Sequence, residues 1–114
     1  MTDTPTNTPP LQIIREKGYT RIKATVRLRY GLHVRPRSKI TKLCIDYDKT
    51  KSIKIFSEQE PKKVINPRSM MNIMGLAGLP GTKLELIIEG TDEAAEKLAR
   101  RVYEIIEIDT ETTY

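Results

Sequence analysis

Residues 30–38 read Tyr-Gly-Leu-His-Val-Arg-Pro-Arg-Ser and mark the point where the chain changes from strand to helix. Before them, residues 21–28 alternate between polar and apolar side chains, as a strand with one buried face does. After them, apolar residues recur at helical spacing. His33, the only histidine, therefore lies at a predicted helix start, where unbonded amides and the helix dipole favour an anion. Arg35 adds a group that can hold phosphate through two parallel hydrogen bonds.

The composition limits the class of protein. A chain of 114 residues with 38% apolar and 31% charged residues is typical of one globular domain. No apolar run approaches the ~18 residues of a membrane span, and residues 1–10 lack the basic-then-apolar order of a secretory signal. The single cysteine, Cys44, cannot form an internal disulfide, which fits a reducing compartment. We therefore expect a cytoplasmic monomer without membrane insertion.

The hydrophobic pattern predicts a β-α-β-β-α-β-α order of elements. Strands are expected at residues 20–28, 52–57, 62–66 and 82–89, and helices at 34–46, at 69–76 and after Asp92. The last helix carries an apolar stripe formed by Ala95, Leu98, Ala99, Val102, Ile105 and Ile106. Four strands with one buried face each need a single layer of helices. The predicted fold is an α+β open-faced sandwich, a four-stranded antiparallel sheet covered on one face by three helices.

The two ends of the chain are expected to lie outside the folded domain. Residues 1–19 are predicted to be a disordered extension, since the first ten are rich in threonine and proline and low in apolar residues. The short segment 11–14 could be a docking segment, which the sequence leaves open. Residues 20–108 are the predicted domain, and residues 109–114 are a polar tail.

Several function classes find little support. The net charge of +5 suggests an acidic partner or nucleic acid. However, one Phe and five Tyr form no stacking pattern, so we do not expect nucleic-acid binding. His33 and Cys44 are too few for a zinc site, and they lie ~16 Å apart along the predicted helix, too far to form a nucleophile pair. We expect no metal, no cofactor and no enzyme activity of the chain's own.

Two motifs resemble the signatures of the HPr family, the histidine phosphocarriers of the phosphoenolpyruvate-dependent phosphotransferase system. Gly31-Leu32-His33-x-Arg35-Pro36-x-Ser38 is similar to the active-site signature of the family. Asn66-x-Arg68-Ser69-Met70-Met71, followed by Met74-x-Leu76, resembles its second signature, at about the expected distance. The resemblance spans roughly residues 20–108 and implies the same open-faced fold.

The resemblance assigns roles to the first motif. It implies that His33 accepts a phosphoryl group on its pros nitrogen, Nδ1, from an enzyme I-type kinase, and that Arg35 binds the phosphate. Enzyme IIA-type acceptors would then receive the group, so the chain would be a carrier in a transferase relay. The rival hypothesis is an HPr-like regulatory binding protein whose phosphorylation state partners read without sugar transport. A basic nucleic-acid-binding domain is a more remote alternative.

The second motif is predicted to regulate and dock. The resemblance implies that Ser69 can become a phosphoserine through an HPr kinase/phosphorylase. Met70, Met71 and Met74 are expected to form an exposed docking patch, because so short a helix cannot bury three large side chains on one face. The plainer interpretation is that Ser69 only caps the helix and the methionines fill the core.

Some residues depart from the family pattern. Val34 and Arg37 stand where small residues are usual, Asn72 replaces a usual glycine, and the turn at residues 57–62 is longer. We group Arg37 with the docking residues. It could add phosphate affinity or hinder a partner, and the sequence does not decide between the two.

Overall fold

The computed structural model describes residues 11–108, and the calls on residues 1–10 and 109–114 lie outside it. Its elements are β1 (Ile14–Glu16), β2 (Tyr19–Thr25), α1 (Val34–Asp46), β3 (Ile53–Ser57), α2 (Met70–Ile73), β4 (Lys83–Glu89) and α3 (Glu93–Glu107). The strands form one antiparallel sheet in the order β1-β2-β4-β3. Four antiparallel strands and three helices confirm the predicted open-faced α+β fold.

The central strands β2 and β4 carry the core, as their alternating pattern predicted. Ile22 lies opposite Leu86 and Ala24 opposite Leu84, and all four side chains are buried. The whole predicted stripe of α3 is buried as well. Burying a large aliphatic side chain stabilises a fold by about 1.5–3 kcal/mol. This shared core therefore fixes the helices on one face of the sheet.

The predicted strand at residues 62–66 does not form. Only Ile65 pairs with β3, through two backbone hydrogen bonds to Ile55 of 3.1 and 2.9 Å. Backbone bonds within residues 57–63 fold that stretch into turns instead. Pro61 and Pro67 flank it and have no amide hydrogen to donate to a ladder. Two consecutive apolar residues, Val64 and Ile65, were therefore not enough to make a strand, and the order of elements differs from the prediction here.

The fourth strand, β1, comes from the segment predicted to be disordered. Residues 14–16 pair with residues 19–21 of β2, so the expectation of disorder is wrong for this part of residues 1–19. Lys17 and Gly18 form the connecting turn with φ angles of 53° and 85°, as a two-residue hairpin turn requires. All three side chains of β1 are exposed. The sequence there has no alternation of buried and exposed residues, so it did not predict this strand. In the preceding segment, Leu11 and Ile13 pack against the core.

The helix starts match the sequence better than the helix ends do. α1 spans the predicted residues, with Pro36 in the first turn, where no helical donor is lost. Asp92 caps α3 by accepting a hydrogen bond from the amide of Ala95 at 3.1 Å. α2 ends at Ile73, short of the predicted residue 76. After it, the amides of Gly75 and Leu76 bond to carbonyls three residues back, as in a turn, rather than four back, as in an α-helix. No helix within residues 11–108 is long and apolar enough to cross a membrane.

Candidate functional site

His33 lies at the joint that the sequence predicted. It is the N-cap residue of α1, with extended backbone angles of φ −80° and ψ −168°, and its side chain makes no capping hydrogen bond. Its carbonyl accepts the first helical bond, from the amide of Arg37 at 3.3 Å. The half-buried imidazole therefore stands beside the amides that open a thirteen-residue helix.

A basic depression surrounds the histidine. It is lined by His33, Val34, Arg35, Ser38, Lys39 and Lys42. Three of these side chains carry positive charge, and the first turn of α1 contains no acidic residue. The positive end of the helix dipole adds to the same field. The structure thus brings His33 and Arg35 together at one anion-favouring surface.

The backbone before His33 is tightly held. Gly31 adopts a φ of +72°, and a Cβ there would collide with the carbonyl oxygen of Gly78. The amide of Leu32 donates to that same oxygen at 2.8 Å. A side chain at Gly31 would therefore be disfavoured twice, by the backbone angle and by the close approach. Through these contacts, the loop that carries His33 packs closely against the segment that follows α2.

Arg37 is not a surface docking residue, and this part of the prediction is wrong. The residue is only 8% exposed. Its guanidinium donates to three backbone carbonyls, those of Leu32, Ile73 and Leu76, with 2.9 Å to Leu76. Burial lowers the pKa of Arg37 below its ordinary value. The long side chain turns inward because these carbonyls give its donors partners that the interior otherwise lacks.

The second motif forms α2, and its methionines lie outside the core as predicted. Met71 is 87% exposed, and Met70 and Met74 are exposed as well. Ile73 alone is buried on this helix. Because one turn offers a single inward position, the other apolar side chains must face outward. Their exposure fits a docking patch, while docking itself stays a prediction.

Ser69 is the N-cap of α2 and accepts a hydrogen bond from the amide of Asn72 at 3.1 Å. The preceding residue, Arg68, donates to the carbonyls of Cys44, Tyr47, Asp48 and Lys51, at 2.6 to 3.1 Å. These carbonyls lie at and just beyond the C-terminal end of α1. The start of α2 therefore lies beside the C-terminal end of α1, whereas His33 is at the N-terminal end of that helix.

The role of Arg68 was missed by the sequence reasoning. Its acceptors are main-chain carbonyls 17 to 24 residues earlier, so no local pattern points to them. A guanidinium at the C-terminal end of a helix also meets the negative end of the dipole. Arg68 thus pins the start of α2 to the end of α1.

Cys44 belongs to the core. It is fully buried, and burial raises the pKa of its thiol to about 12. A thiol that stays protonated is neither a nucleophile nor a metal ligand. This agrees with the expectation that Cys44 takes no part in chemistry at His33.

Together these features define a small α+β protein whose single histidine opens the first helix within a basic depression. A family model described as the PTS HPr component phosphorylation site matches residues 20–104. The chain belongs to the HPr family.

Individual relatives agree with this assignment. The chain is 40% identical over 84 residues to the HPr-like protein Crh of Bacillus subtilis (strain 168), covering 72% of this chain and 93% of that protein. It is 37% identical over 73 residues to the phosphocarrier protein HPr of Treponema pallidum (strain Nichols), covering 62% and 77%. The crystal structure of a phosphocarrier protein HPr from Bacillus anthracis str. Ames superposes with a TM-score of 0.66 at 24% identity, covering 80% and 100%. This last similarity concerns the fold.

Proposed function

We propose that this protein is a phosphocarrier, in which His33 receives a phosphoryl group from an enzyme I-type kinase and passes it to enzyme IIA-type acceptors. In the first step, the Nδ1 lone pair forms a bond to phosphorus while the bond from phosphorus to the kinase breaks. The second step reverses this at the acceptor. The protein itself is a carrier rather than an enzyme, and it acts in the cytoplasm as a monomer.

The observation that carries the proposal is the basic depression around His33 at the start of α1. A phosphoryl group on the imidazole carries negative charge into a region of amides and cations. Arg35 is the phosphate-binding side chain, because its planar fork matches two phosphate oxygens. Dipole effects of this kind amount to about 0.3–1 kcal/mol at exposed sites. Stabilisation of that size holds the phosphate without preventing its transfer.

The exposed methionines in and just after α2 supply the docking surface for these partners. Met71 and Met74 are flexible apolar side chains, which adapt to more than one partner. Phosphorylation of Ser69 by an HPr kinase/phosphorylase would add nearly two negative charges beside this surface. Partner binding would weaken through desolvation and repulsion. Ser69 regulation is thus an effect on docking at α2.

The relay experiment tests the proposal. The protein is charged with labelled phosphoenolpyruvate and an enzyme I-type kinase, freed of donor, and mixed with an enzyme IIA-type acceptor. We expect acid-labile label to appear on this protein first and then to move to the acceptor. A protein that is never labelled would contradict the carrier function.

The second candidate is an HPr-like regulatory binding protein. It is favoured by the similarity to a protein named HPr-like rather than phosphocarrier, and by the half-buried position of Ser69, which is not part of the core. The same experiment separates the two functions. Label that enters His33 but does not pass to any enzyme IIA-type acceptor, together with partner binding that depends on phosphorylation, would favour regulation.

A further inference from the structure

Arg37 connects the backbone before His33 with the end of α2. Its Nε donates to the carbonyl of Leu32, and its Nη1 donates to the carbonyls of Ile73 and Leu76. All three acceptors are main-chain oxygens, so the side chain joins two backbone segments rather than two side chains. A buried guanidinium is costly unless its donors are used, which makes these bonds strongly preferred over alternatives.

Gly78 packs closely against the Nη2 side of this guanidinium. A Cβ at Gly78 would lie 2.6 Å from Nη2 of Arg37 and 2.7 Å from Cβ of Leu32. The amide of Leu32 already donates to Gly78 at 2.8 Å. Both backbone polar groups of Leu32 are thus bonded to Arg37 or to the segment after α2. Because His33 follows directly, its backbone position depends on where that segment lies.

α2 is held between two arginines. Arg68 ties its start, next to Ser69, to the C-terminal end of α1. Arg37 ties the carbonyl of its last residue, Ile73, and that of Leu76 just beyond it to the loop that opens α1. A helix of one turn cannot bend internally, so a displacement at Ser69 also displaces the carbonyls that Arg37 binds. The sequence places Ser69 and His33 far apart, and Arg37 supplies the physical connection.

We propose that Arg37 is a positioning residue that transmits the position of α2, and hence the state of Ser69, to the backbone of His33. The inference rests on the proposed function for its biological meaning, because His33 is the proposed phosphoryl acceptor. It is distinct from occlusion of the docking patch, since it acts within the isolated protein. Regulation through Ser69 then reaches the phosphoryl site itself, even when no partner is bound.

Backbone amide shifts measured by NMR on the full-length protein test this connection without any partner. They are compared in the wild type, Ser69→Asp, Arg37→Met and the double variant. Methionine retains most of the buried volume but removes every donor. We expect Ser69→Asp to shift the amides of His33, Val34 and Arg35, and the double variant to lose more than about half of that shift. The amide of Asn72 reports that α2 responds in both backgrounds.

Arg100→Met is the matched control, since Arg100 is an exposed arginine of α3 whose guanidinium, within residues 11–108, is bonded to Glu96 on its own helix. In that background the shift from Ser69→Asp should remain complete. Equal shifts with and without Arg37, or no shift at His33 in the wild-type background, would overturn the proposal. If the methionine variant does not fold, Arg37→Lys carries the same comparison, because an ammonium cannot reproduce the planar fork.

A second readout concerns the chemistry at His33. The imidazole is phosphorylated chemically with phosphoramidate, and the hydrolysis rate of the phosphohistidine is measured. We expect Arg37→Met to change this rate about threefold or more, with Arg37→Lys between it and the wild type. Identical rates in all three proteins would contradict a positioning role. Failure of the proposed function would appear differently, as a folded protein that an enzyme I-type kinase does not label.

Discussion

His33 owes its surroundings to its place on the backbone. As the N-cap of α1 it precedes the amides that carry the positive end of the helix dipole. Arg35, Lys39 and Lys42 border the same depression, so side chains reinforce what the backbone provides. Cations spaced along two turns of a helix form a diffuse field rather than a closed pocket. Such a field suits a phosphate that must arrive and leave.

Arg35 should be sensitive to a change that keeps its charge. Arg35→Lys replaces a planar fork of donors by a single point charge, so phosphoryl transfer through His33 should slow by about tenfold. Rapid-quench transfer from the kinase measures this rate. Arg29→Lys is the control, because Arg29 lies over the ring of Tyr30. If Arg35→Lys transferred the phosphoryl group at the wild-type rate, Arg35 would not be the residue that binds the phosphate.

Cys44 should make stability depend on pH in the alkaline range. Burial raises the pKa of its thiol from 9.0 to about 12, so the folded state keeps a proton that the unfolded state loses. The free energy of unfolding should therefore be independent of this group below pH 9 and should fall between pH 9 and 12. Burial also raises the pKa of Tyr47 and of Tyr103, which act in the same direction.

Urea unfolding at several pH values measures this slope. In Cys44→Ala the slope between pH 9 and 11 should be shallower by about 1.4 kcal/mol per pH unit, although the variant is less stable throughout. An unchanged slope would mean that Cys44 ionises equally easily in the folded protein.

The residues that the sequence identified are those whose role is local. Asp92 and His33 are caps, and caps are readable from the few residues around them. Arg37 and Arg68 could not be assigned in this way. Their acceptors are backbone carbonyls up to 39 and 24 residues away, and any residue supplies a carbonyl. Only the folded arrangement reveals such partners.

At the scale of elements, α2 is the most dependent part of the fold. Its single turn buries only Ile73, and arginine side chains at both ends hold it in place. An isolated helix of this length would not persist in water. Its position therefore follows from its neighbours, which suits an element meant to be shifted or covered by partners.

Ser69→Asp and Met71→Ala should each weaken binding of the kinase while leaving the fold intact. The aspartate adds one charge beside the methionine patch, and phosphoserine adds nearly two, so its effect is a lower bound. Met71→Ala removes apolar contact area. The combined loss should be less than additive, because both changes act on one surface. Calorimetric titration with the enzyme I-type kinase measures the affinities.

Val64→Ala is the matched control, since Val64 and Met74 are both 48% exposed apolar residues but Val64 is not one of the methionines of the docking patch. It should bind like the wild type. Unfolding of Met71→Ala together with unchanged binding of Ser69→Asp would show that this stretch is structural and that docking occurs elsewhere.

Long elements with a buried face were predictable, and short exposed ones were not. β2, β4, α1 and α3 each present a repeated apolar pattern to one core. β1 has three exposed residues and is defined by its hairpin turn and its backbone pairing. The stretch at 62–66 had the opposite outcome: a strand was predicted there, but flanking prolines and turns limit its pairing to Ile65. In both segments, the available backbone pairing decided whether a strand formed, and the β-propensity of the residues did not.

At the scale of the whole molecule, two structural arginines fix α2 against α1, while α1, α3 and the sheet supply the core. Arg68→Met should lower the free energy of unfolding by about 2–3 kcal/mol, because the carbonyls it binds would lose a charged donor. Chemical denaturation measures this loss. Arg100→Met should change stability by less than about 0.5 kcal/mol. Equal small effects would mean that Arg68 does not anchor α2.

The central claim, that His33 carries the phosphoryl group, is tested most directly by labelling the wild type and His33→Ala. Both are incubated with an enzyme I-type kinase and radiolabelled phosphoenolpyruvate, and acid-labile label is counted. The substitution should cost about 1 kcal/mol of stability or less, so both proteins remain folded. The account predicts stoichiometric label on the wild type and none on His33→Ala. Undiminished labelling of folded His33→Ala would contradict it.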